Sequence, residues 1–223
     1  MGKITGIQCL NCEKQLYSKH VHDFVGCGCE NQTFVDGGNE YVRFGGINMM
    51  KIGYIRTIDG LVYSESSINY QIDGPALYLG RGCPGSGKST LIKAIKEFQG
   101  GIICSADSFF TSPEGDYKFD AGKIGAAHRA CQDAASLAVS NKESFVYIYN
   151  TNTKAKEARF YAELAKANEY TITIVEPINP GSKDLETLVR RNVHVVPRET
   201  IEKMLARFER TIDFATKLRE YIK

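Results

Sequence analysis

Several things are missing from this 223-residue sequence, and each absence excludes a class of protein. There is no large charge excess. Twenty-eight Lys and Arg face 26 Asp and Glu, and a net +2 excludes a polybasic surface that coats nucleic acid, although not a local basic patch. No apolar run approaches the roughly 20 residues that a membrane helix needs. The start, Met1-Gly2-Lys3-Ile4, lacks the long apolar stretch of a secretory signal. A soluble cytoplasmic protein with no membrane partner is therefore expected. There is no Trp, no internal repeat and no low-complexity tract, and 43% hydrophobic residues are enough for a real core.

What is present is unevenly spread. The first 75 residues carry a net −2 and residues 183–223 a net +3, so an anionic substrate held by side chains is sought first at the C-terminal end. Seven Cys is an odd number, and four of them, Cys9, Cys12, Cys27 and Cys29, crowd the first 29 residues. In a reducing compartment such crowding favours a metal over disulfides.

Residues 1–48 read as a small all-β module broken by paired glycines. Residues 49–75 hold two alternating runs around Asp59-Gly60, a hairpin signal. From residue 76 to 223 short apolar runs (76–79, 102–104, 145–149, 170–175) alternate with helical patterns. This predicts an α/β domain with a parallel sheet covered by helices. The helices are expected from the Gly-Lys-Ser turn to about Phe98, Asp120 to Val139, Lys154 to Ala167 and Lys183 to Arg191. After Pro197, Ile201, Met204, Leu205, Phe208, Ile212, Ala215, Leu218 and Ile222 share one face, which predicts a single C-terminal helix on the sheet.

Gly82-Cys83-Pro84-Gly85-Ser86-Gly87-Lys88-Ser89 fits G-x-x-x-x-G-K-[ST] without mismatch, with Thr90 following. Glycines let consecutive backbone N–H groups turn inward onto phosphate oxygens, and the next helix adds its positive end. Lys88 would reach the β- and γ-phosphates of ATP, and Ser89 would ligate Mg²⁺. A strand before and a helix after complete the P-loop context. Asp107 ends the second strand of this pattern, where open α/β sheets bind ligands. A carboxylate there can take a proton from a hydroxyl attacking the γ-phosphate, or it can cap a local turn.

Six blocks occur in order: the loop 82–90, Ser105-Ala106-Asp107-Ser108-Phe109-Phe110, Tyr117-Lys118-Phe119-Asp120, Ala127-His128 to Gln132, Asn150-Thr151-Asn152-Thr153, and Leu188-Val189-Arg190-Arg191-Asn192-Val193-His194 to Pro197. Together they resemble the P-loop kinases typified by bacteriophage polynucleotide 5′-kinase and their AAA ATPase relatives, over residues 76 to about 210. The resemblance implies transfer of the ATP γ-phosphate to a 5′-hydroxyl end of DNA or RNA in nucleic-acid repair, in a host cytoplasm if the chain is phage-encoded. It implies Asp107 as general base, Lys88 and Ser89 at phosphate and Mg²⁺, Arg191 with Arg190 as lid arginines, and Thr151 at the acceptor. Asn150 and Phe110 depart from the Asp and Arg of that pattern, which bears on acceptor choice.

Simpler readings stand beside these. Arg190 and Arg191 can be solvated helix-end cations, His128 a packed or hydrogen-bonded helix residue, and His194, between apolar neighbours, a structural one. Cys83 has no assigned role. Cys9-x₂-Cys12 followed by Cys27-x-Cys29 resembles a zinc ribbon, in which thiolates on two tight turns close a tetrahedron around Zn²⁺; His20 or His22 could replace one cysteine. Two other readings remain open, a small-molecule kinase for a nucleoside or sugar and a nucleotide-dependent binding module with weak ATPase activity.

Overall fold

The computed structural model describes residues 2–38, 40–69 and 74–223, so residues 70–73 at the end of the 49–75 segment lie outside the described residues. In chain order, β1 (Lys3–Cys9), β2 (Gln15–Leu16), β3 (Val25–Gly26), β4 (Phe34–Asp36) and β5 (Arg43–Gly45) precede the hairpin of β6 (Ile52–Ile58) and β7 (Leu61–Ser67). Next come β8 (Ala76–Gly80), α1 (Lys88–Gln99), β9 (Ile102–Cys104), a 3₁₀ turn over Ala106–Phe110, α2 (Ile124–Ser140), β10 (Phe145–Ile148), α3 (Ala155–Ala167) and β11 (Thr171–Pro177). Three helices, α4 (Leu185–Arg191), α5 (Arg198–Ala206) and α6 (Thr211–Tyr221), complete the described chain.

The main sheet has eight strands in the order β2-β1-β6-β7-β11-β8-β10-β9. β11, β8, β10 and β9 are parallel, with Leu77 opposite Val146 on one side and Ile172 on the other. The hairpin joins this sheet: β7 pairs antiparallel with β11, Thr173 facing Ser67, and β1 pairs antiparallel with β6. An isolated two-stranded hairpin is marginal in water, and an open β11 edge would expose a row of unpaired backbone groups. Docking the hairpin on β11 resolves both, and β1 from the first residues caps the new edge. The small sheet β3-β4-β5 stands apart. Its Val35 packs with Ile7 of β1, Leu16 of β2 and Ile52 of β6.

Side-chain alternation explains the two layers. Leu77, Leu79, Val146, Ile148, Ile172 and Ile174 face α2, α3 and α6, while Tyr78, Tyr147 and Val175 face Leu91, Ile92 and Ile95 of α1. On α3, Ala155, Ala158, Ala162 and Ala165 are fully buried, so small side chains at three- and four-residue spacing let this helix lie close to the sheet.

The single helix expected after Pro197 is two helices. Residues 207–210 contain neither Gly nor Pro, and tertiary contacts make the break. The Glu209 N–H donates to the Thr153 carbonyl at 2.9 Å, the Glu209 carbonyl accepts from Arg81 Nη2 at 2.7 Å, and its carboxylate accepts from the Ala155 N–H at 2.8 Å. Ile201 packs with Leu188 against Cys83. Phe214 and Leu218 enter the other core.

Candidate active site and cysteine cluster

The loop 82–89 leaves β8 at its carboxyl end and enters α1. Gly82, Gly85 and Gly87 have φ of 155°, 81° and 89°, values that glycine adopts without a Cβ penalty. A Cβ on Gly85 would lie 2.2 Å from the Leu188 carbonyl, so the loop and α4 touch backbone to backbone. Helix α1 starts without a side-chain cap, which leaves its first N–H groups free for an anion. The Ser86 Oγ is buried without a hydrogen-bond partner among the described residues. Turned glycines, free N–H groups and an orphaned hydroxyl together fit a phosphate chain.

Lys88 is buried, with Nζ 5.7 Å from the Tyr149 ring centroid. Burial pulls its pKa down, and the Asp107 carboxylate is the largest opposing influence. Asp107 itself sits in the 3₁₀ turn after β9. That turn is clamped twice: Ser105 Oγ accepts from the Asp107 N–H at 3.2 Å, and Asn150 Oδ1 accepts from the Ala106 N–H at 2.9 Å. Asn150 in turn points its amide at Cys131 Sγ and the Tyr161 hydroxyl. The Tyr117 hydroxyl approaches Asp107 Oδ1 at 3.5 Å.

A cleft of about 900 Å³ opens here, and Ser89, Thr90, Lys93, Asp107, Tyr149 and His194 are among its walls, with Asp59 and Leu61 from the hairpin tip. It therefore brings Ser89 and Asp107 together. Thr151 is not among its lining residues; its carbonyl accepts from the Gly82 N–H at 3.1 Å. Arg190 and Arg191 are exposed in the last turn of α4. Neither side chain makes a hydrogen bond or an ion pair among the described residues. His194 is exposed on the cleft wall and not enclosed, because its neighbours Val193 and Val195 are themselves 81% and 86% exposed. His128 is also exposed, on α2.

Arg81 escaped the sequence reading. Fully buried directly before Gly82, it donates to the Asn152 carbonyl at 3.1 Å, Glu176 Oε2 at 3.2 Å and the Glu209 carbonyl. Its guanidinium lies between the rings of Phe214 and Phe208, at 3.9 and 4.5 Å. Burial pulls its pKa down, opposed first by Glu176. Three donors in a planar fork fix the start of the loop, the segment after β10 and the α5–α6 break at once. A charged residue between an apolar strand and a glycine loop was the available signal.

The four sulfurs of Cys9, Cys12, Cys27 and Cys29 all lie within 4.8 Å of one another. Zn–S bonds of about 2.3 Å in a tetrahedron put sulfurs about 3.8 Å apart, so the thiols fit zinc; His20 and His22 lie outside the cluster. The Cys29 thiol is drawn down to about 6, first by the Asn31 backbone N–H, against the opposing effect of burial. Asn11 donates to Cys29 Sγ at 3.7 Å. The same knuckle is tied to the α5–α6 break, since Arg210 donates to the Asn11 carbonyl at 2.8 Å and to Glu13 Oε1 at 3.2 Å.

A glycine loop shaped to cradle an anion, set at the carboxyl end of a parallel sheet, defines a P-loop nucleotide-binding protein. Residues 77–211 match the AAA domain family and residues 3–46 match a family described as a domain of unknown function (DUF7695). The first match takes in more than half of the sequence, and the chain belongs to the AAA domain family. Human (Homo sapiens) NEDD4-binding protein 2 is 37% identical over 140 residues, 62% of this chain and 8% of that protein. The chain thus spans less than a tenth of that relative's length. Among solved structures, a chain of the Pnkp1/Rnl/Hen1 RNA repair complex aligns with TM-score 0.49 and 19% identity over 66% of this chain and 48% of that one. A gluconokinase from Sinorhizobium meliloti 1021 aligns with TM-score 0.36 and 16% identity over 68% and 91%. Among the described residues no helix is long and apolar enough to cross a membrane.

Proposed function

We propose that the protein is an ATP- and Mg²⁺-dependent kinase that phosphorylates a 5′-hydroxyl end of DNA or RNA in the cytoplasm, with residues 76–223 as the kinase unit, 49–75 as its connector and 1–48 as a zinc-bound module. The observation that carries this reading is the placement of Asp107 on the wall of the cleft that also holds Ser89, above a loop built for phosphates. Phosphoryl transfer asks the protein mainly for positioning and charge stabilisation. The loop N–H groups and Lys88 hold the phosphate chain, Asp107 accepts the proton of the attacking hydroxyl, and the unpaired Arg191 with Arg190 closes over the migrating group. Thr151, beside the start of the loop and off the cleft wall, has its acceptor role from the resemblance alone. Mg²⁺, held through the Ser89 hydroxyl, would supply charge neutralisation between phosphates. Zinc, held by Cys9, Cys12, Cys27 and Cys29, would close the small module.

A second reading has its own support. Asp59 and Glu97 also line the cleft, and carboxylates bind the hydroxyls of a small sugar or nucleoside. Incubation with γ-labelled ATP, Mg²⁺ and panels of 5′-hydroxyl DNA, 5′-hydroxyl RNA and nucleosides separates the two. Label on oligonucleotide ends, lost in Asp107→Asn, is the expected result. Label on nucleosides alone refutes the polynucleotide reading, and ATP turnover without any labelled acceptor, unchanged in Asp107→Asn, replaces both with a nucleotide-dependent binding module.

A further inference from the structure

The chemistry above leaves unused a buried polar group that reaches the turn of Asp107. Cys131 of α2 and Tyr161 of α3 are each only 2% exposed, among the apolar side chains that join these helices to the sheet. The Tyr161 hydroxyl donates to Cys131 Sγ at 3.1 Å. Asn150, two residues past the end of β10, completes the group. Its Nδ2 donates to Cys131 Sγ at 3.5 Å and to the Tyr161 hydroxyl at 3.4 Å, and its Oδ1 accepts from the Ala106 N–H at 2.9 Å. Burial pushes the Tyr161 hydroxyl and the Cys131 thiol up, so both keep their protons.

A primary amide has an acceptor end and a donor end, and each end of Asn150 has partners of the matching kind. Turned over, it would set its own N–H groups against the Ala106 N–H, so that bond and the pair on α2 and α3 together fix which end faces the turn. Ala106 directly precedes Asp107, whose own N–H is bound to Ser105 Oγ. The backbone that carries the carboxylate is thus held through Asn150 to two packed helices. On the other side the Tyr117 hydroxyl reaches Asp107 Oδ1 only at 3.5 Å, and that ring leans on His194 at 4.2 Å. The 2.9 Å bond lies in the normal N–H···O range, whereas 3.5 Å is long for an O–H···O bond. The Asn150 side is therefore the firmer hold. A general base has to stand within hydrogen-bond reach of the hydroxyl it serves, and a misplacement of about 1 Å costs about 10²-fold in rate.

We propose that Asn150, oriented by Tyr161 and Cys131, is a positioning residue that holds the turn of Asp107 for phosphate transfer and leaves ATP binding untouched. The inference rests on the reading of Asp107 as the base in transfer to an end hydroxyl. It gives that base a support built from β10, α2 and α3, acting through the backbone of Ala106.

The test uses the full chain and two kinds of measurement. Amide hydrogen exchange over residues 105–110 reports the hold on the turn without any acceptor. The kcat for 5′-hydroxyl oligonucleotides and the Kd of a fluorescent ATP analogue report what the hold is used for. Asn150→Ala should speed exchange at 105–110 and lower kcat about 10- to 100-fold, with the nucleotide Kd within about twofold of the parent. Tyr161→Phe removes one of the two partners of the Asn150 amide and should lower kcat about threefold. Asn150→Asp keeps an acceptor for the Ala106 N–H, and the Tyr161 hydroxyl can turn to donate to it, so this variant should restore slow exchange. Parent-like exchange at 105–110 in Asn150→Ala overturns the proposal, as does a nucleotide Kd weakened as much as kcat. Should Asn150→Ala lose the parent's circular dichroism, Tyr161→Phe decides by the same measurements. Faster exchange in Asn150→Ala, together with phosphate transfer that Asp107→Asn leaves intact, sustains the hold on the turn and refutes the Asp107 reading. Unchanged exchange in Asn150→Ala, with transfer lost in Asp107→Asn, does the reverse.

Discussion

In the parallel half of the main sheet, β11, β8 and β10 are buried on both faces and the carboxyl ends of β8 and β9 lead to the loop 82–89 and Asp107. In the antiparallel half, β7, β6, β1 and β2 run outward to four thiols. The first half has its core from two helical layers. The second has an outer cluster of four buried side chains, Ile7, Leu16, Val35 and Ile52, with Val25, Cys27, Phe44 and Tyr54 half-buried around them, a small core at about 1.5–3 kcal/mol per buried side chain. A site made of backbone can rest on the first half, whereas the second gathers four thiols beside a small core, an arrangement that a metal staple would suit. The chain thus places its chemistry where packing is dense and its thiols where packing is thin.

That contrast can be broken most strongly at the thiols. Cys27→Ser or Cys29→Ser in the full chain should abolish zinc binding, an interaction worth on the order of 10 kcal/mol in small zinc modules. Amide protection should be lost over residues 3–46 and kept over β8, β10 and β11. Elemental analysis and hydrogen exchange read both outcomes, and uniform loss of protection would show that the halves fold as one unit.

The reverse experiment strikes the dense half without touching the thin one. Asp107→Asn should lower kcat by about 10²–10⁴, and Lys88→Ala should also weaken ATP binding, while zinc content and Tm stay near those of the parent. Next in size is Arg81→Met. It leaves Glu176 buried beside Lys183 and Thr211 alone, at a cost of about 3–5 kcal/mol, measured by urea unfolding. Glu176→Gln added to that variant should recover part of the loss, and no recovery would remove the buried pair as the cause. The smallest effect sharpens the link between halves. Arg210→Ala removes a half-exposed contact to the cysteine knuckle and should cost under about 1 kcal/mol, with faster exchange confined to residues 207–212 and the knuckle.

Much of the site was legible because its parts are short and contiguous. The loop 82–89 is one run of residues, and its glycines sit at the positive φ values that the motif implies. The four cysteines were legible as a set because thiol spacing carries chemistry before any fold is known. Their sulfurs come together without His20 or His22, which favours the all-cysteine set among those that spacing left open. The sequence puts Asp107 at the end of a strand, and the structure ends that strand at Cys104 and sets Asp107 in the turn that follows, on the cleft wall.

Other features depended on residues far apart. The hydrophobic face from Ile201 to Ile222 fits one helix by period, yet Arg81, 128 positions away, captures the Glu209 carbonyl and divides it. His194 was read through its apolar neighbours, but those valines point to solvent, and the ring meets Tyr117 across the loop. Nothing in the Asp59-Gly60 hairpin announces that its tip will wall the cleft. Only the pairing of β7 with β11 puts it there.

By itself, then, the sequence determined the features that local spacing encodes: a phosphate loop, a cysteine quartet, and alternating strands and helices in the AAA region. Tertiary structure decided how those features meet. The buried Arg81 fork, the broken C-terminal helix, the hairpin wall and the joining of β1 to the same sheet all depend on satisfying buried polar groups and open strand edges. Those needs arise only when distant segments pack together.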